Sequence, residues 1–168
     1  MPNLDFGVCV SEPFTMDEAL DVCAAIEEMG FDSLWITENV RSGPAELEPL
    51  ITLAVFATRT RKVSLGPAVV ILPLRNPVGL AHVGATLDRL SNGRFALGIG
   101  AGGESPQPFE AYGVPINERG RRCDEALEII KRLWTEETVT YKGRYWSFDS
   151  YGLGLKPIKK PHPPIWFG

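Results

Sequence analysis

The stretch NPVGLAHVGATLDRLSNGRFALGIGAGG, Asn76 to Gly103, reads as one complete helix-to-strand unit. Asn76 is a helix cap, and Pro77 fills the first helical position, where a missing N–H costs nothing. Val78, Leu80, Ala81, Val83, Ala85, Leu87 and Leu90, with the small Gly84, make the helix apolar on more than one face, as for a helix packed between a sheet and its neighbours. Asn92 and Gly93 supply a left-handed stop. Phe95 to Ile99 then forms a strand too uniformly apolar to have a wet face, and it ends in glycines. In α/β proteins such strand ends are where ligands bind.

The same alternation extends outward in both directions. Phe6 to Val10 is a short strand left by a loop at Ser11-Glu12-Pro13, and Thr15 with Glu18 forms a capping box for a helix that Gly30 ends. Ser33 to Thr37 is a second strand, and Pro49 starts an apolar helix reaching about Arg59. Lys62 to Leu72 is a third strand, in which Gly66-Pro67 predicts a break, since proline lacks a ladder donor. After the opening unit, Glu104 to Ile116 reads as a loop, and Asn117 caps a helix carrying Cys123, Ala126, Leu127, Ile130, Leu133 and Trp134 on one side. Val139 to Phe148 reads as a hairpin around Lys142-Gly143, with Tyr141, Tyr145, Trp146 and Phe148 as strand residues. A Pro-rich connector from Lys156 to Pro164 leads to a fifth strand, Ile165-Trp166-Phe167-Gly168.

Strands alternating with helices through short connections run parallel, leaving a doubly wound sheet or part of an eight-fold barrel. A complete barrel needs about 250 residues. The chain has 168 residues, 44% of them apolar, so the expectation is one domain over 1–168 holding about four strand-helix units, a hairpin and the start of strand five.

Composition narrows the function classes. The net charge is −4 and no Lys/Arg-rich run exists, which argues against nucleic acid as a partner. Cys9, Cys23 and Cys123 are widely spaced and odd in number, which fits reduced core thiols better than disulfides or a metal site. With no signal-peptide pattern and no apolar run of about 20 residues, a soluble, cytoplasmic protein is expected, with no membrane partner.

Gly98, Gly100 and Gly103 satisfy G-x-G-x-x-G, but a dinucleotide fingerprint needs a strand running straight into a helix. Glu104-Ser105-Pro106-Gln107-Pro108 follows instead, and Pro108 does not suit a helix interior. Two other readings stay open: tight packing where a strand leaves the core, or bare backbone that lets a flat ring or a phosphate approach. Glu38 and Asn39 follow the second strand at its carboxyl end, where they suit loop caps or catalytic groups equally, and Glu104 is similar. His82 and His162 read as structural. Arg119, Arg121 and Arg122 oppose the dipole of the helix they begin, a cost unless carboxylates or an anion lie nearby. No hydrolase constellation or metal-ligand cluster is visible, a pattern that suits a cofactor carrying the chemistry.

RNPVGLAHVGATLDRLSNGRFALGIGAG, then EAYGVPINERGRRCDEALEIIKRLW and KPIKKPHPPIWFG, closely resembles the bacterial luciferase-like flavin monooxygenases and their deazaflavin-using relatives. GFDSLWITEN and LGPAVVILPLRNP match in the same register. The resemblance implies a (β/α)8 TIM barrel with FMN or the 8-hydroxy-5-deazaflavin coenzyme at the carboxyl ends of the strands. Carried over by position, Glu38 and Asn39 match a pair beside the ring that is often Asp-His in deazaflavin members. Asn39 replaces the histidine, and an amide does not titrate. Ala68-Val69 matches the place of a non-proline cis peptide that forms a bulge behind the ring. Glu104 and Gln107 fall in a loop that brings polar groups to the ring, and Gly100 and Gly102 bring bare backbone. Arg119 or Arg121 lies near a family arginine that reaches the cofactor phosphate.

The resemblance thus implies the N-terminal half of an oxidoreductase acting on a small organic molecule, with Asn39 and Glu104 as its catalytic candidates. A half-barrel leaves two open strand edges, so a homo-oligomer or a missing C-terminal half is expected. The rival expectations are a non-catalytic flavin-binding module that dimerises, and an inactive truncated product.

Overall fold

The computed structural model describes residues 4–11, 15–40 and 46–168. Glu12 and Pro13 of the expected first loop lie outside the described residues. The barrel strands are β1 (Gly7–Val10), β2 (Ser33–Ile36), β3 (Ser64–Pro67), β4 (Val70–Ile71) and β5 (Leu97–Gly100), with helices α1 (Met16–Met29), α2 (Pro49–Arg59) and α3 (Pro77–Leu90) between them. A short α4 (Pro106–Ala111), a long α5 (Arg119–Thr135) and the hairpin strands β6 (Val139–Lys142) and β7 (Ser147–Tyr151) precede β8 (Ile165–Phe167).

β1, β2 and β3 pair in parallel, as do β4, β5 and β8. A parallel bridge between Leu65 and Phe95 joins the two sheets into one curved wall, in the order expected for half of a barrel. Along β2, Leu34 and Ile36 are buried beneath the helices. Trp35 points to the other face, where it stands over Gly66 and meets Trp166 edge to face, ring centroids 6.2 Å apart. Gly84 lets α3 approach α5 closely: a Cβ there would lie 2.7 Å from the Trp134 ring, whose indole N–H donates to the Ala81 carbonyl at 2.8 Å.

The local signals place the helices well. Thr15 and Glu18 form the full capping box, Gly30 is left-handed at the end of α1, Asn76 accepts from the Val78 and Gly79 N–H groups, and Asn92 and Gly93 both take positive φ. The third strand does break, but one residue later than Gly66-Pro67: both residues still pair with β2, and the gap lies between Pro67 and Val70, where the Ala68–Val69 peptide is cis.

Five expectations need correction. The Glu104 to Ile116 segment contains α4, because Pro106 and Pro108 sit in its first turn, where backbone N–H groups have no intrahelical acceptor. Asn117 does not cap α5; it lies in a 3-10 turn, Ile116–Glu118, and Glu118 occupies the cap position. Tyr145 and Trp146 are loop rather than strand residues, because the Glu125 carboxylate gathers the N–H groups of Arg144, Tyr145 and Trp146 into a turn. Cys9 is exposed rather than buried, since β1 is an edge strand; Cys23 and Cys123 are core thiols, and burial pushes Cys23 up to about 11. α3 is not enclosed on all sides: Val83 is 41% and Leu90 50% exposed on its outer face.

Candidate functional site

The carboxyl ends of β1, β2, β4, β5 and β8 open into one cavity of about 600 Å³. Its wall includes Ser11, Thr37 to Val40, Glu46, Ala68, Val69, Ile71, Gly100 to Ser105, Pro108, Phe109 and Gly168. Among the expected site residues, Glu38, Asn39, Ala68, Val69, Gly100, Gly102 and Glu104 come together here. Gln107 is exposed on α4, and Arg119 and Arg121 stand at the start of α5, all three off the cavity wall.

The floor is built by the chain's turn out of β3. Gly98, Gly100 and Gly168 make room for it: a Cβ at Gly98 would lie 2.0 Å from the Pro67 carbonyl oxygen, and at Gly100 or Gly168 within 2.7 and 2.8 Å of the Val69 methyls. Gly102, at φ +84°, backs onto Ile71 and Phe109. Of the two readings left open for the glycines, packing accounts for these positions. Gly103 is different, since a Cβ there would meet nothing within 4 Å. The cavity therefore has an apolar floor at Val69 and exposed backbone at its rim.

The polar groups are arranged around two carboxylates. Glu38, 5% exposed, accepts from the Ile71 N–H through Oε2 and pairs with Arg75 through Oε1. Arg75 also pairs with Glu48 at 2.6 Å, and Glu48 caps α2 by accepting from the Ile51 N–H at 2.8 Å. Burial lowers the Arg75 pKa, but Glu38 and Glu48 outweigh it and hold the guanidinium above its ordinary value. Glu46 accepts from the Thr37 hydroxyl at 3.0 Å and from the Asn39 amide at 3.2 Å, which fixes the side-chain orientation of both. Although Cys9 is exposed, partial burial, with Glu46 second, raises its thiol above the ordinary value. Glu104 is exposed at the rim.

Carboxylates are thus the only charged groups on the wall among the described residues. The basic start of α5 finds its partners elsewhere: Arg122 pairs with Glu118 at 3.0 Å and lies 4.3 Å from the Tyr145 ring centroid. No group of His, Cys, Asp and Glu able to hold a metal ion occurs among the described residues. No described helix is long and apolar enough to cross a membrane.

Sequence reasoning missed Glu46 and Arg75. Glu46 lies between periodic segments and carries no motif. Arg75 stands in a quoted motif, one residue before the α3 cap, but its partners are 37 and 27 positions away.

Comparison with known proteins gives a consistent picture. The family model described as luciferase-like monooxygenase matches residues 5–168. The chain is 31% identical over 156 residues to the oxygenase component of a flavin-dependent trigonelline monooxygenase of Acinetobacter baylyi, a match spanning 89% of this chain and 42% of that protein. It is 36% identical over 160 residues to an F420-dependent glucose-6-phosphate dehydrogenase of Kineococcus radiotolerans, spanning 91% and 47% respectively. The crystal structure of the monooxygenase RslO1 from Streptomyces bottropensis superposes with a TM-score of 0.89 at 28% identity, covering 98% of this chain and 53% of that one. The chain spans about half the length of the relatives it matches.

Proposed function

Because the chain belongs to the luciferase-like monooxygenase family, we propose that its mouth cavity receives the ring of FMN or of a deazaflavin and serves an oxidoreductase acting on a small organic substrate. The observation that carries the reading is the cavity itself, about 600 Å³ at the strand carboxyl ends, with Val69 as floor and open backbone at Gly103. That size and mixed apolar and polar lining suit a flat heteroaromatic ring. When bound, the reduced cofactor supplies electrons for oxygen activation if it is FMN, or a hydride if it is a deazaflavin.

The residues have separable tasks. Ala68, Val69 and the Gly100 to Gly102 backbone hold the ring face and edge and keep water from that side. Asn39, oriented by Glu46, offers a hydrogen-bonding group whose charge does not change with pH. Glu104, exposed at the rim, would accept or return a substrate proton at its carboxylate.

Titration of the purified chain with FMN, and separately with the 8-hydroxy-5-deazaflavin coenzyme, tests the reading by cofactor fluorescence and absorption. Saturable quenching or a spectral shift with one of them is expected. No change with either refutes it.

A further inference from the structure

At the mouth the parallel ladder is interrupted. β2 pairs with β3 as far as Ile36 and Pro67, and β4 pairs only with β5, Val70 with Ile99 and Ile71 with Gly100. The Ala68 N–H still reaches the Ile36 carbonyl, at 2.7 Å, but beyond it Ile71 has no ladder partner on the β2 side. Its N–H is instead taken by the Glu38 carboxylate, so a side chain stands where a strand carbonyl would otherwise be. A buried carboxylate in that role needs a counter-charge, and Arg75 supplies it. Arg75 lines an adjoining outer cavity of about 510 Å³, which shares Glu38, Asn39, Val40 and Glu46 with the mouth cavity, and is itself absent from the wall of the mouth cavity.

We propose that Glu38 and Arg75 form a positioning brace: Arg75, from outside the mouth, holds the Glu38 carboxylate on the Ile71 N–H and thereby fixes where Ala68 and Val69 floor the cofactor cavity. This rests on the cofactor reading above, and it assigns Arg75 an effect on cofactor affinity without contact. The Glu48 arm is secondary. Glu48 is 38% exposed and already caps α2, so losing its ion pair with Arg75 has little consequence.

The test compares Arg75→Met, Glu38→Gln and the double variant in the full chain, reading amide hydrogen exchange at Ile71 and titration with FMN and with the deazaflavin. Arg75→Met leaves a buried carboxylate without its counter-charge. It should speed Ile71 exchange and weaken binding of whichever cofactor binds, each by about tenfold or more. Glu38→Gln keeps an acceptor for the Ile71 N–H and should keep Ile71 exchange within about threefold of the parent. The double variant carries neither charge and should recover most of the loss of Ile71 protection seen in Arg75→Met, which a general packing defect at Arg75 would not do. Parent-like behaviour of Arg75→Met overturns the brace, as does a double variant as impaired as Arg75→Met alone. If the parent chain binds neither cofactor, the functional reading fails, and the Ile71 exchange pattern alone decides for or against the brace.

Discussion

At the amino ends of the strands, Arg94 donates to the carbonyls of Ala57, Thr60, Val63 and Ser91 and to the Thr60 hydroxyl, all at 2.7 to 3.0 Å. Glu27 accepts three successive N–H groups, from Arg61, Lys62 and Val63, and the fully buried Asp88 accepts from Ile158 and Lys159. On the wall of the mouth cavity, among the described residues, Glu46 accepts from the Thr37 and Asn39 side chains, Glu104 sits exposed on the rim, and Glu38 accepts from the Ile71 N–H. One end uses its charges to tie loops into the wall through backbone groups. The other leaves charges facing a cavity. On the proposed function, stability and ligand chemistry are therefore separated along the strand axis, as parallel barrels allow.

The separation breaks most visibly at Arg94. Arg94→Met should destabilise the chain by about 3–5 kcal/mol, because buried carbonyls gathered from α2, the turn before β3 and the turn after α3 lose their donor together. Thermal or denaturant unfolding measures it. At a temperature where the variant is still folded, cofactor titration should match the parent. A large loss of binding with little loss of stability would mean that the two ends are not separable.

A second pair of substitutions probes the glycines. Gly98→Ala puts a methyl 2.0 Å from the Pro67 carbonyl, a backbone atom that cannot turn aside, and should cost about 1–3 kcal/mol. Gly103→Ala meets open space and should change stability by less than about 0.5 kcal/mol. The same methyl stands at the cavity rim, so its effect should fall on cofactor affinity. Equal stabilities for the two variants would return the glycine cluster to a single role.

How far this division was legible depends on what each signal encodes. Caps, stops and apolar periodicity are local, so Thr15-Glu18, Pro49, Asn76 and Asn92-Gly93 placed their helix ends correctly. The Gly66-Pro67 dipeptide pointed to an interruption one residue too early: both residues stay paired in β3, and the break that floors the cavity comes after them, at Ala68 and Val69. The glycines were ambiguous for a different reason: the letter permits close approach but does not say what approaches, and the answer came from Pro67 at the end of β3 and Val69 in the break after it. Arg75 and Arg94 were silent, since their partners lie roughly 30 positions away and acquire meaning only when strands align. The two prolines in α4 misled, because a first-turn proline and a helix-breaking proline look alike until the start of the helix is known.

Glu27 gives the finest test of the difference between the ends. Burial raises its carboxyl, but the three backbone N–H groups and Arg94 together outweigh burial and hold it below the ordinary carboxylate range. An acid whose pKa is lower folded than unfolded takes up its proton more readily in the unfolded chain. Its stabilisation is therefore complete above the unfolded value of about 4.3 and is lost as pH falls through the folded value. Glu27→Gln keeps one acceptor but cannot titrate, so it should be less stable than the parent by about 1 kcal/mol at pH 7. Glu18, whose carboxyl is lowered first by the Thr15 N–H and then by its hydroxyl, adds to the acid dependence of both proteins and cancels in their difference. Urea unfolding of the two from pH 7 to pH 3 should then show the gap closing as acid discharges the parent. A gap that stays constant to pH 3 would mean that the clasp at the base works by shape alone, and that charge matters no more at that end than at the mouth.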